Sequence, residues 1–253
     1  MSLQLDGRQR AMLQEMGVRV FQPEPVVAPE YVATNVHLAR ATAIISSEKP
    51  VSVPLLARAA GIESMAWDAL AEAVSQCRAC KLCNGRRNTV FGVGGREADW
   101  LVVGEAPGEQ EDLQGEPFVS QAGALLDNML KALGLNRHSK VYIANVLKCR
   151  PPGNRNPESQ EIAQCAPFLK RQVELLQPRI ILAMGRFAVQ ALLQSNEPIG
   201  KLRGRVHRYN GVPVVVTYHP AYLLRNLPDK AKAWADLCLA LEVMQQPAAA
   251  STR

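Results

Sequence analysis

From residue 99 onward, short runs of Val, Ile and Leu alternate with helix-length amphipathic segments, and this pattern restricts the fold more than any other feature of the chain. The runs Trp100–Gly104, Val141–Leu147, Arg179–Met184 and Val212–Thr217 are almost uniformly apolar and do not alternate with polar residues, so both faces of each strand need a cover. The segments between and after them, Ala122–Leu133, Pro157–Leu176, Arg186–Leu193 and Asp229–Met244, have helical spacing, with Pro157 suited to a first turn. Strands alternating with helices predict a three-layer α/β/α fold around a four-stranded parallel central sheet. Ligands of such sheets sit beyond the carboxyl ends of the strands. That rule points to residues 104–108, 147–152, 185 and 218–220.

Residues 1–70 differ in character. A helical-looking Asp6–Met16 precedes prolines at 23, 25 and 29, an Ala-rich stretch covers Val32–Ile45, and Val53–Leu70 has helical spacing at Leu55, Leu56, Ala59 and Trp67. The expected organisation is a small helical extension over 1–70, a main domain over 71–245 and a tail over 246–253. Lys and Arg number 6 against 7 Asp and Glu in residues 1–70, but 23 against 16 in 71–253. The later excess admits a polyanion such as nucleic acid as partner. With 47% apolar and 21% charged residues the chain is not a disordered one. Apolar runs such as Ile180–Met184 fall far short of the ~20 residues of a membrane span. The charged start lacks a secretory core, so a cytoplasmic monomer with no membrane partner is expected.

Cysteines stand at 77, 80, 83, 149, 165 and 238. A cytosolic chain seldom uses them as disulfides. Cys77, Cys80, Cys149 and Cys165 have the spacing C-x2-C-x68-C-x15-C, and four thiolates so distributed suit a tetrahedral zinc or a four-iron cluster. Cys83 extends the first pair, so spacing alone leaves open which two of those three bind. Cys238, in an apolar helix, reads as an ordinary buried thiol.

Three further segments follow strands or flank them. Gly104–Asp112 combines a Gly/Pro turn with carboxylates too dense for a phosphate cradle, and otherwise reads as an acidic surface turn. Phe118, after Pro117, is either core filler or a stacking platform. His219, closing the fourth strand, is either a satisfied structural histidine or a catalytic one.

In order, Cys77-x2-Cys80-x-Leu82-x3-Arg86-x3-Val90-x-Gly92-x-Gly94, GEAPGEQED from Gly104, GEPFV from Gly115 with Ala122-Gly123, Asn145-x2-Lys148-Cys149-Arg150-Pro151-Pro152-Gly153-Asn154-Arg155 and HPAYLLR from His219 resemble the type-4 uracil-DNA glycosylases. These are iron-sulfur members of the uracil-DNA glycosylase superfamily, and the match runs from about Cys77 to about Arg225. Ser120 and Ala221 depart from the family's usual glycine and serine. The covalently trapping relatives carry Gln at the position of Ala106, and type-5 relatives lack the carboxylate at Glu105.

The resemblance implies a four-iron, four-sulfur cluster on Cys77, Cys80, Cys149 and Cys165, and leaves Cys83 outside the ligand set. It implies uracil release from single- or double-stranded DNA for base excision repair, with turnover. Gly104, Glu105, Ala106, Glu111, Phe118, Asn145 and His219 would form the uracil pocket. Within it Phe118 would stack on the base, Asn145 would read N3 and O4, Glu111 would face C5 and His219 would donate to O2. Glu105 and Asn154 would hold the water, and Arg150, Arg155 and Arg225 would approach the DNA backbone. The competing reading is a catalytically weak DNA-binding replication accessory protein on the same fold, which the intact Glu105, Asn145, Asn154 and His219 oppose.

Met12–Phe21 is similar to the amino-terminal peptide of the psi subunit of bacterial DNA polymerase III, which docks on the chi subunit. A short apolar helix ending at Gly17, then Val18, Val20 and Phe21 before the prolines, suits a tethered docking peptide. The likeness implies a replisome chi partner for residues 1–28; packing on the main domain is the alternative.

Overall fold

The computed structural model describes residues 60–246. The expected elements Asp6–Met16 and Val32–Ile45, the proline-rich break, the docking peptide and the end of the tail lie outside the described residues, as does the start of Val53–Leu70. In the described part of that last segment, residues 60–66 are not α-helical. Gly61 adopts a left-handed φ of 73°, a short 3-10 turn covers Ile62–Ser64, and α1 (Trp67–Ser75) starts only at Trp67. α1 crosses position 70 and places Leu70 and Val74 in one buried cluster with Leu147 and Phe168.

The sheet contains β1 (Val93–Gly94), β2 (Trp100–Gly104), β3 (Val141–Asn145), β4 (Ile180–Met184), β5 (Val206–Tyr209) and β6 (Val212–Thr217), in the order β1-β3-β2-β4-β6-β5. The four strands expected from the apolar runs are the central ones and run parallel, with Gly104 opposite Asn145 and Met184 opposite Thr217. Two short antiparallel strands, β1 and β5, are added at the edges. The helices are α2 (Glu109–Gln114), α3 (Gln121–Ala132), α4 (Ser159–Leu176), α5 (Arg186–Leu193), α6 (Ile199–Leu202), α7 (Pro220–Leu223) and α8 (Asp229–Gln245). α4 begins two residues after Pro157, because Glu158 is its cap residue and the Glu161 carboxylate accepts from the Glu158 N–H at 2.9 Å.

Alternation along the strands sorts the core into two layers. Leu101, Val103, Ala144, Ile181, Ala183, Val214 and Val216 pack against α4 and α5, whereas Trp100, Val102, Ile143, Leu182 and Val215 pack against α3 and α8. Each fully buried Val or Leu contributes roughly 1.5–3 kcal/mol. A third cluster, under α1 and the start of α4, includes Cys149 and Cys165. Since β3 and β4 lie on opposite sides of β2, the strand order reverses there and a crevice opens beyond the carboxyl ends. Among the described residues no helix is long and apolar enough to cross a membrane.

Candidate active site

The loops leaving β2, β3, β4 and β6 enclose a cleft of about 820 Å3 at this carboxyl edge. Its wall brings together Glu105, Ala106, Glu111, Phe118, Asn145, Asn154, Arg155, His219 and Arg225, which are separated by up to 120 positions in sequence. Of the expected site residues, Gly104 and Arg150 are not part of the wall. Gly104 works from behind it: a Cβ there would lie 2.6 Å from the Phe118 ring and would strike the Asn145 amide oxygen. Glycine at this position therefore lets the ring and the carboxamide close over the end of β2.

Phe118 is held in a left-handed conformation with φ 55°, costly for a residue with a side chain. Arg137 compensates by donating to the Phe118 carbonyl at 2.8 Å while pairing with Asp127. Gly123 leaves room for that carbonyl, which any Cβ would meet. From the other side Glu111, almost fully buried, accepts from the N–H groups of Val119 and Ser120 at 3.0 and 3.1 Å and from Gly108 at 3.1 Å. One carboxylate thus caps α2 and fixes the backbone around the aromatic ring.

His219 stacks on Phe118, with ring centroids 5.4 Å apart and planes at 28°. Its Nδ1 accepts from the Ala221 N–H at 3.2 Å as the cap of α7. Burial pushes its pKa down to about 4, which the Glu111 carboxylate opposes and Arg225 reinforces. The ring is therefore neutral near pH 7, and with Nδ1 engaged as an acceptor its proton belongs on Nε2. In the same cleft the Oδ1 of Asn145, a residue 2% exposed, is buried with no hydrogen-bond partner. Such an acceptor carries a desolvation cost of about 1–3 kcal/mol unless a ligand donates to it.

Burial raises the Glu105 carboxyl above its ordinary range, and Arg186 pulls it back. Asn154, at φ 55°, accepts from Arg150 Nε at 2.7 Å, and Arg150 also stands 3.7 Å from Glu109. Arg155 makes a two-pronged pair with Glu161 at 2.6 and 2.9 Å, so the cap of α4 holds its guanidinium at the rim. Arg225 lines the cleft. Arg137 and Arg186 were not anticipated: neither lies in a motif, and each acts through a partner distant in sequence.

Cys77, Cys80, Cys83, Cys149 and Cys165 line one small cavity with Arg86, Lys148 and Phe168. Arg86 donates to Cys149 Sγ at 3.1 Å, and the Lys148 N–H donates to Cys165 Sγ at 3.4 Å. Burial pushes the Cys149 thiol up to about 11 and the Cys165 thiol up to about 12, and it also raises Cys80. Among the described residues no three His, Cys, Asp or Glu side chains are gathered as a ready site for a metal ion. Cys238 stands apart, partly buried on α8.

Residues 91–238 match the family model of the uracil DNA glycosylase superfamily. A type-4 uracil-DNA glycosylase of Saccharolobus solfataricus is 45% identical over 170 residues, covering 64% of this chain and 78% of the relative. The type-4 enzyme of Archaeoglobus fulgidus is 43% identical, covering 62% and 82%. That of Thermotoga maritima is also 43% identical, covering 64% and 85%.

Proposed function

The chain belongs to the uracil-DNA glycosylase superfamily and to its type-4 family, and from that premise we propose that this cleft excises uracil from DNA by hydrolysing the N-glycosidic bond of a flipped-out deoxyuridine. The single observation that carries the reading at the level of residues is the orphaned, buried Oδ1 of Asn145 in one cleft with a neutral histidine and an aromatic face. A base inside a duplex cannot be reached, and extrusion costs a few kcal/mol. Phe118 stacks on the extruded ring. Asn145 accepts from uracil N3–H and donates its NH2 to O4, a pattern that cytosine inverts at both atoms. Thymine differs only by the C5 methyl, so its rejection is steric; the rigidly braced Glu111 supplies the wall.

Bond cleavage leaves an oxocarbenium-like sugar and a uracil anion. Nε2–H of His219 and the main-chain N–H of Ala106 donate to the anion at O2, and one such donor is worth about 3 kcal/mol. Glu105 and Asn154 hold the attacking water on the sugar side. Arg150 and Arg225 approach the backbone phosphates, while Arg155 reaches them from its pair with Glu161.

A four-iron, four-sulfur cluster on Cys77, Cys80, Cys149 and Cys165 completes the proposal. The thiols share one cavity, and those most deeply buried stay protonated without a compensating cation. Glycosidic hydrolysis transfers no electrons, so a bound cluster supplies cross-linking of the chain. It would join α4 and the segment after β3, between which Arg150–Arg155 lie. Residues 1–70 form an extension to the glycosylase domain, and residues 1–28 dock on the replisome chi subunit. Calorimetric titration of the full chain with purified chi should give saturable binding that deletion of residues 1–28 abolishes; no binding at tens of micromolar would end that part of the proposal.

The pocket is tested by Asn145→Asp. A carboxyl offers the ring a different set of donors and acceptors, so uracil release should fall about 100-fold or more and the ratio of uracil to cytosine release should drop. Uracil release at the wild-type rate would remove Asn145 from its reading role.

A further inference from the structure

A buried ammonium ties the inner end of the cleft to α4. Lys148 is 1% exposed. Its Nζ donates to the main-chain oxygen of Asn145 at 2.8 Å and to Gln172 Oε1 at 2.7 Å. Gln172, fully buried on α4, donates in turn to the Phe91 carbonyl at 3.0 Å. Lys148 also lines the cysteine cavity beside Cys149 and Cys165, but both hydrogen bonds of its Nζ go to neutral acceptors away from the thiols, and a methionine would fill the same space without the cost of burying a charge. What the ammonium supplies, and methionine cannot, is a grip on the Asn145 carbonyl.

The grip matters because of where Asn145 stands. It is the last residue of β3, and the peptide after it is bonded at both ends. The Val146 N–H donates to the Gly104 carbonyl at 3.0 Å, and Lys148 takes the Asn145 carbonyl on the other side. Fixing that peptide plane fixes the direction of the Asn145 side chain, whose Oδ1 has no partner of its own to orient it. A misplacement of about 1 Å in a site of this kind costs on the order of 100-fold in rate.

We propose that Lys148, braced by Gln172, is the positioning residue for Asn145 and thereby for uracil recognition; this rests on the reading of Asn145 given above. The test uses full-length, iron-loaded protein carrying Lys148→Met, Gln172→Met, Gln172→Glu, Asn145→Ala or Asn145→Ala with Lys148→Met. Single-turnover uracil release by Lys148→Met should fall about 10- to 100-fold. The inhibition constant of free uracil should rise by a similar factor, while iron content and affinity for abasic DNA stay at the wild-type level. In the Asn145→Ala background the same substitution should change the rate by no more than about 2-fold, because the group it positions is gone. Gln172→Glu, which keeps an acceptor for Lys148, should recover most of what Gln172→Met loses, and this pair decides the matter if Lys148→Met fails to fold. Full additivity with Asn145→Ala, an unchanged uracil inhibition constant, or equal losses in the two Gln172 variants would overturn the proposal while leaving the function of the cleft intact. Undiminished uracil release by Asn145→Ala would overturn both.

Discussion

Cys149→Ala and Cys165→Ala should each be recovered without iron and largely unfolded, whereas Cys83→Ala should keep the full wild-type iron complement and its brown colour. Cys149 and Cys165 are part of the cluster of buried side chains that includes Leu70, Val74, Leu147 and Phe168. Removing one ligand therefore opens a cavity in that cluster and abolishes the cross-link. Structural metal centres contribute on the order of 10 kcal/mol, comparable to the whole stability of a domain, roughly 5–15 kcal/mol. Cys83 also lines the cavity, and its Sγ lies 3.5 Å from the Asn84 amide oxygen. Iron loss in Cys83→Ala, with iron retained in Cys80→Ala, would reassign the ligands. Iron per chain and far-ultraviolet circular dichroism read both outcomes.

The second large effect belongs to His219. Its replacement by alanine should lower single-turnover uracil release about 100- to 1,000-fold, as loss of a donor aimed at developing negative charge does, with little change in affinity for abasic DNA. The pH behaviour follows from the same geometry. A pKa of about 4 in the folded protein, against 6.5 for the free side chain, means that the unfolded chain takes up this proton first. Stability due to neutral His219 is complete above about pH 6.5 and is lost as pH falls toward 4. Between pH 6 and 8 the rate should show no titration from this residue. A step in the wild-type rate near pH 6.5 that His219→Ala abolishes would contradict the neutral-donor assignment.

The four central strands could be read from the sequence because each is buried on both faces and is therefore apolar except at its carboxyl end, where Asn145 closes β3 and Thr217 closes β6. The edges could not. Val93–Gly94 is only two residues long, and in Val206–Tyr209 the polar His207 and Arg208 interrupt the apolar run, with Val206 and Arg208 exposed and His207 and Tyr209 only partly buried. α2 was also obscured, since Glu109–Gln114 is acidic and polar and is held by the Glu111 cap rather than by an apolar stripe. In the site, His219 falls in the segment 218–220 to which the strand-end rule pointed, two residues after β6, whereas Asn145, the last residue of β3, was legible only through the family resemblance. Gly104 was legible as a site residue but not in its role, which depends on the ring of Phe118, 14 positions later. The Arg137 grip on Phe118 and the Lys148 link to Gln172 join residues 19 and 24 positions apart. Neither leaves a periodicity for a sequence reading to find, so folding alone reveals them.

The most direct measurement is uracil release by the full-length, anaerobically purified protein from a single-stranded oligonucleotide carrying one deoxyuridine. The account predicts free uracil and an alkali-labile abasic site at that position over many turnovers, and no release from otherwise identical strands carrying thymidine or deoxycytidine there. Tight binding of the uracil-containing strand without base release, by iron-loaded protein, would contradict it.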